Sequence, residues 1–481
     1  MVKMLVIITL SMVGVFIFSY IKVIFGKIKE YFRVNKILFV AWSVMFVGIA
    51  VFSQQVGQVT NVAAIDSSSR NQLLAMFLAG VLSILLCNKY YAYNKAFSLP
   101  LILLFLYGLS GILTSIFSPT PMLSAYKATL VIVDVLLAAS AIKILDGKAD
   151  MRLYLANIVY GILAVFLIGS LIGIFIRPHD ALLPSGGAIG VILFGTFPVL
   201  NANELGFLAA VLAIVSFTRS LKFKGRVKNR PLWLAIMTLA LVVVFLAQSR
   251  TAIVSFVFAA GFILWFAPGY RKYTVIPIVL LFFSIIFVAS VGDVTELSVV
   301  SSGAEYLQRG QEESGLRSIK GRANAWTGIG LEMFFDNPLI GHGFDAGVRY
   351  GGAEYGIKTH MHNSYFQVLA NSGLLGFIPW FIFIIMVSVY ITKNFRRNLK
   401  NSVDIASNAH IEVMAVLLVI LLRSITGSVM VNHSWAGMLL LALFVYCVLN
   451  KNPIPAFNQN QPDNLKKKNI KQEQGVTVTL R

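Results

Sequence analysis

Long apolar runs alternate with short polar intervals along almost the whole chain. Most runs contain about the 17 to 25 residues that an α-helix needs to cross a bilayer. The pattern predicts thirteen spanning helices, of which the first either crosses the membrane or lies along its surface. They occupy residues 4–25, 37–52, 72–87, 97–117, 126–143, 153–176, 203–218, 231–247, 251–267, 274–292, 374–391, 411–430 and 434–449. A shorter apolar piece at 188–200 contains glycines and Pro198, and we interpret it as a re-entrant segment.

One long polar interval, residues 292–376, interrupts this pattern. Loops of that length are uncommon unless they are functional or disordered, and the aromatic residues and turn glycines here are not typical of a disordered linker. The sequence Thr359-His360-Met361-His362-Asn363 lies near its end, shortly before the next apolar run. We therefore predict that the interval is the functional loop of a membrane protein.

Composition excludes an ordinary soluble protein. Hydrophobic residues make up 57% of the chain and charged residues 12%, and the mean hydropathy is +0.79, which is typical of a polytopic membrane protein. The net charge of +20 raises the question of nucleic-acid binding. However, the lysines and arginines form short clusters between apolar runs, as the positive-inside rule predicts. We therefore expect no nucleic-acid partner.

The basic clusters also predict the orientation. If the long loop lies outside the cytoplasm, the alternate connections and the C-terminal tail, which hold most of the 40 lysines and arginines, lie inside. The chain then divides into an N-terminal transmembrane bundle (1–292), an extracytoplasmic loop expected to be catalytic (293–373), C-terminal transmembrane helices (374–449) and a disordered cytoplasmic tail (450–481).

Six cations depart from this charge rule, because they lie on the predicted outer side or within apolar runs. A cation at membrane depth is costly and usually serves a site, although an arginine can also snorkel to lipid phosphates. Guanidinium groups form paired charge-assisted bonds with phosphate, so several arginines at one surface favour an anionic lipid head group such as a pyrophosphate. No Asp-x-Asp pair occurs, so we predict no carboxylate-held metal ion beside it. The six are Arg70, Lys127, Arg177, Arg250, Arg322 and Arg423.

His362 is the candidate for the proton transfer that accompanies a group transfer. A neutral imidazole can accept a proton from a hydroxyl at physiological pH. Two other interpretations stay open: His360 and His362 could hold a metal ion, or they could only hydrogen-bond the loop. His342 and His433 are predicted to be structural.

Four motifs, in order, resemble the O-antigen ligase and polymerase superfamily. The most specific is His362-Asn363, followed after nine residues by Gly373-Leu374-Leu375-Gly376, which matches that family's His-[Asn/Ser/Gln]-x9-Gly-x-x-Gly signature. The others are Gln248-Ser249-Arg250-Thr251-Ala252, Gly321-Arg322 with Trp326 and Pro338-Leu339-Ile340-Gly341-His342-Gly343, and Gly195-Thr196-Phe197 with Asn203-Glu204-Leu205-Gly206. Ala202 stands where the family usually has a proline.

The apolar pattern and the resemblance together predict an all-α polytopic membrane protein with twelve or thirteen transmembrane helices, similar to GT-C glycosyltransferases. The resemblance implies a metal-independent, inverting enzyme without a cofactor that uses undecaprenyl-pyrophosphate glycan as donor. Arg250 and Arg322 match the family's essential arginines, expected to bind the donor pyrophosphate. His362 matches its essential histidine, expected to activate the acceptor hydroxyl. The further substrate-binding candidates are Arg70, Lys127, Arg177, Asn203, His360, Asn363 and Arg423.

The acceptor distinguishes the members of this superfamily. We expect a polymerase of O-antigen, exopolysaccharide or capsule, since such chains outnumber the ligases that act on lipid A core and the protein oligosaccharyltransferases. The expected location is the bacterial inner membrane. The expected partners are the lipid-linked donor, a glycan or glycolipid acceptor and membrane lipids, with a chain-length regulator and a flippase as candidates. The alternative of another class is a transporter or flippase for lipid-linked glycan, which needs outer arginines but not the histidine-bearing loop.

Overall fold

The computed structural model describes residues 26–52, 67–93, 96–148, 151–184, 191–221, 229–267, 273, 324–345, 361–401 and 406–450. Most of this part is helical, because a helix bonds the backbone groups that a bilayer cannot hydrate. The helices are α1 (Gly26–Val34), α2 (Lys36–Phe52), α3 (Ser67–Lys89), α4 (Leu99–Leu113), α5 (Pro121–Leu145), α6 (Tyr154–Ile176), α7 (Pro178–Ala181), α8 (Ala202–Ser220), α9 (Arg230–Leu246), α10 (Arg250–Phe266), α11 (Leu331–Asp336), α12 (Ser364–Asn401), α13 (Ala406–Thr426) and α14 (Trp435–Leu449). A 3-10 turn, Thr114–Phe117, extends α4, and a π-helical segment, Asn324–Gly330, leads into α11.

The prediction of an all-α polytopic membrane protein is confirmed. Within the described ranges, six helices are long and apolar enough to cross a membrane: α4 with its 3-10 extension, α5, α6, α8, α12 and α13. Helices α1 and α2, with a bend of 112° between them, pass the same test as a pair. Helices α9, α10, α14 and the Phe77–Lys89 part of α3 are apolar but shorter. The predicted spans 4–25 and 274–292 lie outside the described residues. The total of twelve or thirteen therefore stays a prediction.

The segment predicted to be re-entrant is built, over residues 191–200, largely from short strands. Strand β1 (Leu182–Pro184) pairs antiparallel with β2 (Val191–Leu193), and β3 (Gly195–Thr196) pairs with β4 (Val199–Leu200). Proline and glycine disfavour a helix here, and strand pairing satisfies the backbone instead. Gly173 of α6 gives this segment room, since a Cβ there would lie 1.6 Å from Thr196 Oγ1.

A buried ion pair joins several helices at one end of the bundle, which we call the Arg219 end. The Nε and Nη2 atoms of Arg219 each lie 2.7 Å from a carboxylate oxygen of Glu412, and Nη2 also donates to Asn157 Oδ1 at 2.7 Å. The guanidinium group stacks on the Trp233 ring at 4.8 Å. The end of α8 is thereby fixed to the first turns of α6 and α9 and to the second turn of α13. These turns lie next to connections that the charge rule assigns to the cytoplasm.

The opposite end, which we call the Arg250 end, is where α8, α10 and α12 begin and α13 ends. Gln248 Nε2 donates to Val191 O at 2.8 Å, so the strands pack against the turn between α9 and α10. Ser124 Oγ donates to Phe344 O at 2.9 Å, so the described part of the long loop contacts the start of α5. The four motifs of the sequence analysis all contribute described residues to this end.

Candidate active site

The His362 turn is formed by an exposed histidine directly before α12. His362 has a left-handed backbone, with φ of +54°, and its side chain is exposed. Asn363 caps α12: its Oδ1 accepts the N–H groups of Tyr365 at 2.9 Å and Phe366 at 3.2 Å, as in other asparagine caps. Its Nδ2 donates to Ile425 O in the last turn of α13, at 3.0 Å. Asn363 therefore positions the turn with both ends of its side chain.

A non-helical segment, residues 427–434, supports the His362 turn through contacts with Ser364. The Ser364 hydroxyl donates to Gly427 O at 2.8 Å and accepts the N–H groups of Val429 at 3.0 Å and Met430 at 3.3 Å. Ser364 is fully buried. Irregular backbone inside a membrane bundle needs such partners, so the first residue of α12 and the 427–434 segment hold each other in place.

The long loop docks on the same turn through Trp326. The indole Nε1 donates to Met361 O at 2.6 Å, and the ring lies parallel to Phe366 with centroids 6.4 Å apart. Met333, Met361 and Ala370 form a small apolar core beneath it. The helical part of the loop thus packs directly against the residue that precedes His362.

A second contact inserts residues 338–343 into a break in α12. Gly373 has φ of +54° and ψ of −162°, which interrupts the helix. Across this break, Leu374 N and Leu375 N donate to Pro338 O at 2.8 Å and Leu339 O at 3.0 Å. In the other direction, the N–H of residue 342 donates to Ala370 O at 3.1 Å and that of residue 343 to Asn371 O at 2.9 Å. Two family motifs, distant in sequence, therefore form one backbone-paired unit.

Gly341→Ala is expected to destabilise this unit strongly. Gly341 has φ of +67°, and a Cβ there would lie 2.5 Å from the carbonyl carbon and oxygen of Asn371. We expect a loss of about 1–3 kcal/mol from overpacking and about 1–2 kcal/mol from the left-handed backbone. Thermal unfolding of the purified protein measures this loss of stability.

The matched control is Gly161→Ala, in the middle of α6, where a Cβ would meet no atom within 4 Å. Its expected effect is a change of less than about 1 kcal/mol, towards higher stability. Equal melting temperatures for the two variants would contradict the close approach at Gly341.

Arg250 is the first residue of α10 and is held by a tight turn. Gln248, two residues before Arg250, is buried and has a left-handed backbone, with φ of +48°. Gly206 of α8 lets the turn approach, because a Cβ there would lie 2.6 Å from Ser249 Cβ. Arg250 itself is half-buried. Its position at a helix N-terminus adds the positive end of the helix dipole to its own charge.

Arg423 joins the last turn of α13 to α10 and is itself buried, with 8% of its surface exposed. Its Nη1 donates to Thr426 O at 3.2 Å and contacts Thr251 Oγ1 at 3.5 Å. Its charge also interacts with that of Glu204 in the first turn of α8. Arg423 therefore links the end of α13 to the start of α10.

These contacts bring two predicted catalytic residues to the same turn of α13. Asn363, next to His362, contacts Ile425, while Thr251, next to Arg250, contacts Arg423. Both residues of the predicted pair thus stand beside one helix end, although they are more than a hundred residues apart in the sequence. The third, Arg322, lies outside the described residues, two positions before the π-helical segment whose Trp326 binds Met361.

The remaining candidates are placed less centrally. Asn203 is half-buried in the first turn of α8, and Lys127 is half-buried in α5 with its ammonium 6.0 Å from the Tyr126 ring centroid. Arg177 is exposed at the end of α6 and lies over the Phe197 ring at 5.5 Å. Arg70 lies in the first turn of α3, with its side chain outside the described part, and His360 also lies outside it.

No three His, Cys, Asp or Glu side chains of the described ranges are placed to hold a metal ion, and metal independence stays a prediction.

Sequence reasoning missed the structural roles of Ser364 and Glu204. Glu204 had a local signal, because Asn201-x-x-Glu204 has capping-box spacing, and Asn201 Oδ1 accepts the Glu204 N–H at 2.9 Å. Ser364 had none, since its partners lie in the 427–434 segment.

Comparison with known proteins agrees with this geometry. Residues 234–381 match the family model described as O-Antigen ligase. That range includes Arg250, the described part of the loop, the His362 turn and the break at Gly373. No curated protein matches the chain significantly. The chain therefore contains a region similar to the O-antigen ligase family, and its apolar helices are those of a multi-pass membrane protein.

Proposed function

We propose that this chain is an inverting, metal-independent glycosyltransferase that moves a glycan from undecaprenyl pyrophosphate to an acceptor sugar hydroxyl, as a polysaccharide polymerase. The family supports the coarser statement, a membrane glycosyltransferase of the O-antigen ligase and polymerase type. One observation carries the proposal: the helix ends that bear Arg250 and His362 both contact the last turn of α13. A group that binds the donor phosphate and a group that accepts the acceptor's proton then serve one transfer reaction.

In the proposed step, the acceptor hydroxyl attacks the anomeric carbon of the donor from the side opposite the pyrophosphate. The new C–O bond forms as the bond to the pyrophosphate oxygen breaks, which inverts the configuration of that carbon. The hydroxyl proton passes to the imidazole of His362. The electron pair of the broken bond leaves with undecaprenyl pyrophosphate, whose developing charge Arg250 and Arg322 stabilise.

The placement of Arg250 suits an anionic leaving group. A helix N-terminus offers unpaired N–H groups and positive potential to a phosphate, and the guanidinium fork adds a paired contact. Arg423, Asn363 and Ser364 are buried behind these groups, so we assign them to positioning. Asn203, Lys127, Arg177, Arg70 and His360 remain proposed contacts to the substrate.

The charge rule places the proposed reaction outside the cytoplasm, at the outer face of a bacterial inner membrane. In this proposal, residues 293–373 form the extracytoplasmic catalytic loop, while the connections at the Arg219 end and the tail at 450–481 face the cytoplasm. A lipid-linked donor delivered by a flippase then reaches the Arg250 end from the outer leaflet.

Purified full-length protein in lipid nanodiscs, mixed with lipid-linked repeat units, lipid A core and an acceptor peptide, tests the proposal. A ladder of lengthening glycans is expected, and a metal chelator is expected to leave it unchanged. Single transfer to lipid A core would assign a ligase, and transfer to the peptide an oligosaccharyltransferase. Movement of lipid-linked glycan across sealed vesicles without any transfer would overturn the enzyme assignment in favour of a transporter.

A further inference from the structure

Two ionisable side chains meet in the interior of the helix bundle, away from the Arg250 end. Asp134 lies in the middle of α5, and His433 lies in the 427–434 segment. Asp134 Oδ2 and His433 Nδ1 are 2.7 Å apart, and only 5% and 2% of the two side chains are exposed. Ionisable groups inside a membrane bundle are costly and usually have a function.

The hydrogen-bond partners determine how many protons this pair holds. His433 Nε2 lies 3.1 Å from the Met45 carbonyl oxygen of α2, and a carbonyl only accepts, so Nε2 carries a proton. The 2.7 Å contact between Nδ1 and Oδ2 needs one more proton, on either atom. The pair is therefore imidazolium with carboxylate or imidazole with carboxylic acid. In both forms its net charge is zero, which suits a site of low dielectric constant.

Asp134 also lines a small cavity. No donor from the described residues reaches Asp134 Oδ1, and Asp134 lines a cavity of about 20 Å³ together with Tyr107, Trp380 and Asn432. A cavity of this size has room for about one water molecule. Such a water can donate to Oδ1 without adding charge to the pair.

The pair fixes the same segment that supports the His362 turn. Going along residues 427–434, Ser364 binds the backbone of Gly427, Val429 and Met430. The Trp380 indole donates to Met430 O at 2.8 Å, and the Tyr107 hydroxyl donates to Val431 O. His433 then ties the far end of the segment to α5 and α2.

We propose that Asp134 and His433 form a proton-sharing, net-neutral anchor that holds the 427–434 segment and thereby positions the His362 turn for transfer. This role rests on the proposed function. It requires a hydrogen bond at this place and no net charge, so the two residues are positioning residues that do not contact the substrate.

Asp134→Asn and Asp134→Leu in full-length protein in nanodiscs separate the hydrogen bond from the acid. The Asn amide can donate to a neutral Nδ1 while Nε2 stays on the Met45 carbonyl, so we expect kcat within about fivefold of wild type. Leu cannot bond His433, and we expect kcat to fall by about 10- to 100-fold, with the KM for the donor nearly unchanged. The control is Glu412→Leu, which breaks the ion pair with Arg219 at the other end of the bundle.

The proposal is overturned if Asp134→Asn lowers kcat as much as Asp134→Leu does, since the carboxylic acid itself would then be needed. It is also overturned if Glu412→Leu, at an equal loss of melting temperature, lowers kcat as much as Asp134→Leu does. Nitrogen NMR of ¹⁵N-histidine protein tests the pair without turnover, with His433→Gln assigning the signals. The wild-type Nδ1 should share a proton, and Asp134→Asn should convert it to a plain acceptor. If no glycan is transferred, the proposed function fails while this spectrum still decides the proton count.

Discussion

His362→Asn is expected to lower the rate of glycan transfer by about 10²- to 10⁴-fold while the protein stays inserted and folded. Asparagine is among the few residues that accept a left-handed backbone without a large penalty, so it suits the φ of +54° at this position. It does not accept a proton at physiological pH. The substitution therefore removes the base and keeps the turn, which alanine would strain. Rates with purified enzyme, at equal protein amounts, measure the effect.

Two further variants make this result specific. His362→Gly relieves the left-handed backbone and is expected to be at least as stable as wild type, yet equally inactive. His179→Ala removes an exposed histidine from α7, near the same end of the bundle, and is expected to transfer glycan normally. If His362→Asn extends the glycan ladder at the wild-type rate, the general-base role is wrong.

The apolar pattern predicted the helices well, but it misplaced the start of α12. The prediction begins at residue 374, whereas the helical region begins at Ser364 and is interrupted at Gly373. The first turns contain Ser364, Gln367 and Asn371, which hydropathy assigns to the loop. All three are buried against protein, so their polarity reflects contacts within the bundle. A pattern that separates lipid-facing from aqueous residues cannot recognise such a segment.

The sequence indicated candidate site residues, but it could not predict the contacts that those residues make. The motif around His362 located the turn, but it did not predict that Asn363 caps α12 and binds Ile425 O. Substrate binding by Asn363 stays a prediction. That partner is a backbone carbonyl more than sixty residues away, and no local pattern encodes it. The Asp134 and His433 contact spans 299 residues. Only the acid within an apolar run was a usable signal.

Arg250→Ala is expected to lower kcat by about 10²- to 10³-fold, as the loss of one donor to a developing oxyanion does in other enzymes. The kcat of Arg250→Lys should lie between those of Arg250→Ala and wild type, because lysine keeps the charge but cannot form the paired contact with a phosphate.

The matched control is Arg230→Ala, since Arg230 is likewise the first residue of an apolar helix, α9, and is exposed at the Arg219 end. Its loss removes the same charge far from the His362 turn and is expected to leave kcat unchanged. Should Arg230→Ala slow transfer as much as Arg250→Ala, the effect would come from total charge or membrane insertion. Should lysine at 250 restore the full rate, charge alone would suffice, and the guanidinium fork would have no part in holding the pyrophosphate.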